Sequence, residues 1–363
     1  GAVGRGPPHP PPRQYKPMAW WLWRQWDGTV LKKTYVSMLY IVLVYFGLTL
    51  LVAGPKLPAF FTLSVPSLAP HLITARLEQM MTFWQQHATI TTFIVTFFLS
   101  KAYEYWRAQL KLARGVQGRL QELNMLLTAH CLRTSDGDFT AESRQLLEET
   151  ARNARLAHTL LWASIDDSLA PLHTPRGLRR LLERGLMTER EYAALLGSGA
   201  PPTRRHDVVL SWLLARAVDA RARNTVEFGA GTESVLVSGV CELRRSMASV
   251  AEELVSRMPM AYVHLVHLLV DSFLVSTPFV LYPRCGVMMV PAAGLLALFF
   301  RGLLELSKSF LDPFGNEGSD GQEEFIRTDT LLAECNSAST RWWRGAERLP
   351  FDTLPFDAER LRQ

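Results

Sequence analysis

The stretch "TYVSMLYIVLVYFGLTLLVA", residues 34–53, carries no charged side chain across twenty residues. At about 1.5 Å per residue, a helix of that length crosses the roughly 30 Å hydrocarbon core of a bilayer. A soluble protein can bury one such helix, so the reading depends on whether this one stands alone. It does not. Residues 79–100, "QMMTFWQQHATITTFIVTFFLS", are also uncharged, with polar side chains in the first half. Ala261 to Tyr282 is apolar apart from two His and one Asp, and Cys285 to Phe300 is apolar and continues as "RGLLELSKSFL". Four such blocks predict an all-α polytopic membrane protein with four transmembrane helices, the last extending beyond the bilayer.

The rest of the composition narrows the function. Of 363 residues, 48% are hydrophobic and only 20% charged, and the formal charge of +5 is modest. No dense Lys/Arg run interleaved with aromatics points to nucleic acid. Cys131, Cys241, Cys285 and Cys335 show neither a CxxC nor a zinc spacing, and read as packing residues or free thiols. Residues 1–17, "GAVGRGPPHPPPRQYKP", read as a flexible or polyproline-like arm. Residues 18–102 then hold a lead-in helix and the first two spans, 103–258 a helical soluble domain, and 259–308 the third and fourth spans with their extension. Residues 309–363 hold an acidic turn and a tail that wraps the soluble domain. Arg24, Lys32 and Lys33 precede the first span, and Lys101 and Arg107 follow the second. Basic residues gather on the cytosol-like side of membranes, which puts both termini and the middle region on that face.

Within the middle region, "TPRGLRRLLERGLMTEREYAALL" reads as two short helices. Thr174 caps the first, Gly185 ends it, and Thr188 with Glu191 forms a capping box for the second. No Ser-His-Asp, HExxH or phosphate-loop pattern appears, so nothing marks an enzyme.

Four motifs in order carry a resemblance. They are "WDGTVLKK" (26–33), "TFFLSKAYEYWRA" (96–108), "RMPMAYVHLVHLL" (257–269) and "SFLDPFGNEGSD" (309–320). The chain resembles the bestrophins, in their plant and bacterial form. The resemblance implies a homopentameric anion channel that conducts chloride, bicarbonate included, through a neck lined by the second helix. Carried over from "SKAYEYW", the neck positions are Gln85, Thr89 and Phe93, with Ile90 and Phe97 as competing choices. Spacing by four puts the first three on one helical face. The family's large apolar residues are replaced here by Gln85 and Thr89, which implies either a wetter outer neck or hydrogen bonds within the bundle. Inward Phe edges favour a partly dehydrated anion, and Thr and Gln donors replace some of its water. Lys101 and Arg107 either raise anion concentration at the inner mouth or simply anchor at the membrane edge. The contrasting expectation is a non-conducting membrane scaffold of the same fold.

The resemblance also assigns calcium to the turn after the fourth helix. Glu317 and Asp320 then fall at the ligating carboxylates, with Ser309 and Asp312 as backbone-carbonyl donors. Aligning Phe325 instead makes Glu323 and Glu324 the candidates. A solvated acidic turn pairing with arginines of the middle helices is the other reading. Asp271, with His264 and His267 one and two turns before it, forms an intramembrane polar cluster that the resemblance does not anticipate. A structural hydrogen-bond network, a pH-responsive gate and a metal site all remain open for it. The plant-like "MPMAYVHLVH" and the Pro/Gly-rich start lacking Met suggest a plastid thylakoid membrane, with the plasma membrane as the alternative.

Overall fold

The computed structural model describes residues 29–52, 70–227, 230–315, 325–347 and 349–350. Ten α-helices lie among them, with two isolated β-bridges and no strand. In chain order they are α1 (Val30–Val52), α2 (Pro70–His130), α3 (Ala141–Ala163), α4 (Pro175–Glu183) and α5 (Glu189–Gly197). Then follow α6 (Arg205–Ala222), α7 (Ala230–Val255), α8 (Met260–Cys285), α9 (Met289–Leu311) and α10 (Thr328–Gly345).

The 61-residue α2 begins at Pro70, and no proline interrupts it afterwards. At 1.5 Å per residue it is a rod about 90 Å long. It runs unbroken through position 102, so the boundary drawn on composition falls inside one helix. The apolar and the more polar parts of α2 therefore form one continuous element. Residues 256–259 form a short turn between α7 and α8.

Two cores form along this rod. At the apolar level, α2 packs on α8 and α9, and α1 packs along α9. Val95 and Phe98 of α2 meet Val266, Val270 and Phe273 of α8 and Leu304 of α9. A Cβ added at Gly294 would lie 2.8 Å from Val42 Cγ2, so the missing side chain lets α1 and α9 approach closely. Among the described residues, two helices are long and apolar enough to cross a membrane, Met260–Leu281 and Met289–Leu311. The apolar part of α1 among the described residues is shorter, Thr34–Gly47. In α2, Gln, Thr and His dilute the apolar residues over 79–100.

The second core is built on α3, where Leu156–Ala163 is buried, enclosed by α2, α6 and α10. The caps read from sequence are present. Thr174 Oγ1 accepts from Gly177 N at 3.1 Å, Thr188 and Glu191 form a reciprocal capping box, and Gly185 takes φ 72°.

At the centre of this core His158 is buried and accepts a hydrogen bond from Trp162 Nε1 at 2.8 Å. Burial pushes its pKa down to about 3. The unfolded chain therefore takes up this proton first as pH falls below the usual histidine value. The stabilising contribution is complete above about pH 6.5 and is lost as pH falls toward 3, at about 1.4 kcal/mol per pH unit for one proton. His158→Gln keeps an acceptor for Trp162 and is expected to flatten the dependence of the thermal midpoint on pH between 6.5 and 4. An unchanged slope in that variant would show that His158 is not the proton-linked group. His173 and His206 are shifted in the same direction by burial, so part of the slope survives.

Candidate functional site

One face of α2 is sealed and the other is open. Thr91, Val95, Phe98 and Ala102 are completely buried against the bundle. Gln85, Thr89, Phe93 and Phe97 all lie on the uncovered side, Phe93 72% and Phe97 48% exposed. Ile90 is also exposed, on the flank of the same stripe. The three expected neck residues and Phe97 thus share a single face.

The chemistry of that face sets it apart from its neighbours. Exposed positions on α1 include Val36, Leu39, Leu43, Val44 and Phe46 beside Tyr35 and Tyr40, and on α8 and α9 they include Leu265, Leu268, Val275, Leu295 and Phe299 beside His264 and Ser272. Such surfaces suit lipid. The open face of α2 instead carries Gln85, Gln86, Thr89, Thr92, Thr96 and Ser100 between its aromatics. The threonine hydroxyls donate back along the helix, Thr89 to Gln85 O at 3.0 Å, Thr92 to Ala88 O and Thr96 to Thr92 O at 2.8 Å. They therefore present oxygen lone pairs and methyls outward, and offer an anion a donor only by rotating away from the carbonyl.

Below the neck, Lys101 Nζ stands 5.7 Å from the Phe97 ring and pairs with Glu104 at 2.8 Å. Its charge is largely matched locally. Arg107 and Lys111, farther along α2, are exposed and have no carboxylate partner among the described residues.

The turn after α9 is anchored at both ends. Phe314 packs on Trp162 at 5.5 Å between ring centroids, Ile326 N donates to Pro313 O at 2.8 Å, and Thr328 Oγ1 donates to buried Asp166. A Cβ at Gly315 would meet Asp312 Oδ2 at 2.1 Å, so a larger residue there would push that carboxylate aside. Ser309 gives its hydroxyl to Glu305 O at 3.0 Å, and Asp312 O accepts from Gly315 N at 3.3 Å. Glu317, Asp320, Glu323 and Glu324 lie outside the described residues. Among the described residues, no group of three or more His, Cys, Asp or Glu is placed to hold a metal ion.

Asp271 pairs across the bundle with Arg301 of α9 at 2.6 Å. His267, one turn earlier, lies within electrostatic reach of Asp271, Arg301, Glu305 and Lys308. His264 is exposed and makes no hydrogen bond with Asp271. Of the three roles left open by the sequence, an ion-paired network between α8 and α9 is the one with partners in place.

The family model described as "Bestrophin, RFP-TM, chloride channel" matches residues 16–333. The chain belongs to the bestrophin family. A bacterial bestrophin homologue from Klebsiella pneumoniae, in two point-mutant crystal structures, shares this bestrophin's fold with a TM-score of 0.61 in each. One is 16% identical, covering 88% of this chain and 100% of its own; the other is 14% identical, covering 85% and 99%. A further crystal structure, described only as a membrane protein, gives 0.59 at 13% identity over 85% of this chain and 98% of its own. No curated protein matches this bestrophin's sequence.

Two residues escaped the sequence reading. Lys111 stands one turn beyond Arg107. Arg301 was taken only as the start of the helix extension, yet an antiparallel hairpin makes it the natural partner of Asp271. Asp271 lies 14 residues before Cys285, and Arg301 lies 12 residues after Met289. Counting from the turn would have paired them.

Proposed function

We propose that this bestrophin is a membrane anion channel, in which identical subunits ring an axis and turn the open face of α2 inward. Five subunits, and chloride with bicarbonate as permeant ions, follow from the family. The observation that carries the reading is the contrast in surface chemistry. The faces of α1, α8 and α9 that lack protein neighbours are mostly apolar, with Tyr35, Tyr40, His264 and Ser272 among their exposed polar side chains, whereas that of α2 alternates aromatics with a run of Gln and Thr. Lipid suits the first and a partly hydrated path suits the second. Four bilayer-crossing helices are then α1, the upper part of α2, α8 and α9. Along the path Phe93 and Phe97 form the narrowest rings, with positive ring edges toward the ion. Arg107 and Lys111, repeated around the axis, concentrate anions at the inner end. The test is flux from liposomes containing the purified protein. Chloride should pass and potassium should not. Silence over a range of pH and calcium would favour a scaffold of the same fold.

Calcium at the turn after α9 belongs to the same proposal. The candidate donors are all oxygens, which fits a hard cation. Ser309 and Asp312 would contribute backbone carbonyls, because Pro313 has no N–H to give to the helix end. Glu317 and Asp320, or Glu323 and Glu324, would contribute carboxylates. When bound, the ion would brace a turn already fastened to Trp162 and Asp166. Millimolar calcium should raise the thermal midpoint of the full-length protein, and Glu317→Gln with Asp320→Asn should remove that rise. If only Glu323→Gln with Glu324→Gln removes it, the second pair holds the ion. No rise in the parent protein would remove calcium from the account.

A further inference from the structure

Outside the ion path, the soluble domain holds a cavity of about 490 Å³ between α3 and α10. Its walls include Gln145, Glu149, Arg152 and Arg155 from α3, and Trp343 and Arg344 from α10. The charges on these walls do not cancel. Arg152 pairs with Glu191 at 2.8 Å, and Glu149 pairs with Arg216 at 2.7 Å. Gln145 donates to Glu149 at 2.8 Å. Arg155 and Arg344 have no carboxylate partner among the described residues, and only exposed Glu148 is left to face them.

Arg155 is the informative one. Its Nε is buried without a hydrogen-bond partner. The neighbouring Cys335 supplies no negative charge, because burial pushes its thiol up to about 12. Arg152 beside it adds a like charge, and with burial as the larger cause this holds the Arg155 pKa below its usual value. Arg155 is half-buried, and a guanidinium partly withdrawn from water without a counter-charge carries a cost that an entering anion relieves. The cavity volume is in the range of small-molecule sites and far larger than a single chloride needs. Guanidinium forks match carboxylate and phosphate oxygens two at a time, which a spherical halide cannot exploit.

We infer that this cavity is an anion-binding site on the soluble domain, separate from the ion path, for a small molecule bearing a phosphate or carboxylate group, gripped by Arg155 and Arg344 with Arg152 behind them. Trp343 closes the apolar side. The site lies on α3, whose far end at Trp162 holds Phe314, so occupancy stiffens the helix to which the end of α9 is fastened.

The test titrates the full-length purified protein with inorganic phosphate, and separately with succinate, at fixed chloride and ionic strength. The readouts are heat of binding and thermal midpoint. A saturable response to either anion is expected, and the responding anion identifies the group recognised. Arg155→Gln should weaken apparent affinity at least ten-fold, while Phe93→Ala, in the proposed neck, should leave it unchanged. Without ligand, Arg155→Gln should melt no lower than the parent, because it removes an unmatched half-buried charge. Arg155→Lys keeps the charge but loses the fork. It should bind with intermediate affinity, and it serves if the glutamine variant does not fold. The inference is overturned if neither anion gives a saturable response, or if the response is the same with Arg155 replaced. It is also overturned if binding emerges only after Asp352, Asp357 and Glu359 are neutralised together in the full-length chain, since the cavity would then belong to the chain's own tail.

Discussion

Arg301→Gln is expected to abolish most of the folded protein, because it strands the Asp271 carboxylate among apolar helices. A charged side chain at the middle of a membrane helix costs about 3 kcal/mol on insertion scales. On the single chain the pair is only partly buried, Arg301 27% and Asp271 44% exposed, so the stranded charge approaches that cost only where lipid or a neighbouring subunit covers it. Marginal stability turns a loss of that size into a large fall in the folded fraction. Asp271→Asn should be milder. The long Arg301 side chain can extend its head toward the inner end of α9, where Glu305 lies one turn away, whereas the short Asp271 side chain has no such reach. The double variant Asp271→Asn with Arg301→Gln removes both charges and should return close to the parent. The exchange Asp271→Arg with Arg301→Asp should recover part of the loss. Size-exclusion profiles and thermal midpoints of the solubilised oligomer measure all four. If Arg301→Gln matched the parent in yield and midpoint, the pair would be no more than a solvated contact.

The same pair shows what could and could not be read in advance. Asp271 was conspicuous in an apolar block, but its partner was not, because Arg301 sits where the fourth block ends and was attributed to the extension. Only the antiparallel hairpin puts the two at one depth. The caps at Thr174 and Thr188 were legible because capping is local, decided within four residues. That Gln85, Thr89 and Phe93 share one helical face was legible from their spacing of four, yet spacing cannot say which face of α2 is sealed. That depends on Val95 and Phe98 meeting α8 and α9. Lys101 looked like an unpaired cation, although Glu104 three residues later was already a candidate partner. The fastening of the turn after α9 was out of reach. Phe314 on Trp162 and Thr328 on Asp166 join positions more than 150 residues apart in sequence. No local pattern marks such contacts.

Phe93→Glu should cut chloride flux by well over ten-fold and shift the reversal potential toward cation selectivity. If identical subunits turn the open face of α2 to a common axis as proposed, one substitution plants a ring of carboxylates at the level of Phe93. Two like charges 4 Å apart interact by about 4 kcal/mol at an effective dielectric of 20, and 1.4 kcal/mol is a factor of ten. Salt and partial protonation of a crowded ring reduce that repulsion, but not to nothing. Phe93→Ala tests the opposite contribution. Removing the rings widens the level and takes away the positive edges that face the ion, so conductance should hold or rise while anion preference weakens. A control on Phe299, exposed on α9 and suited to lipid, separates pore from periphery. Phe299→Ala should leave selectivity as it was. Should Phe93→Glu pass chloride like the parent, with Phe299→Ala equally silent, the open face of α2 would have to look outward and the ion path would lie elsewhere in the assembly.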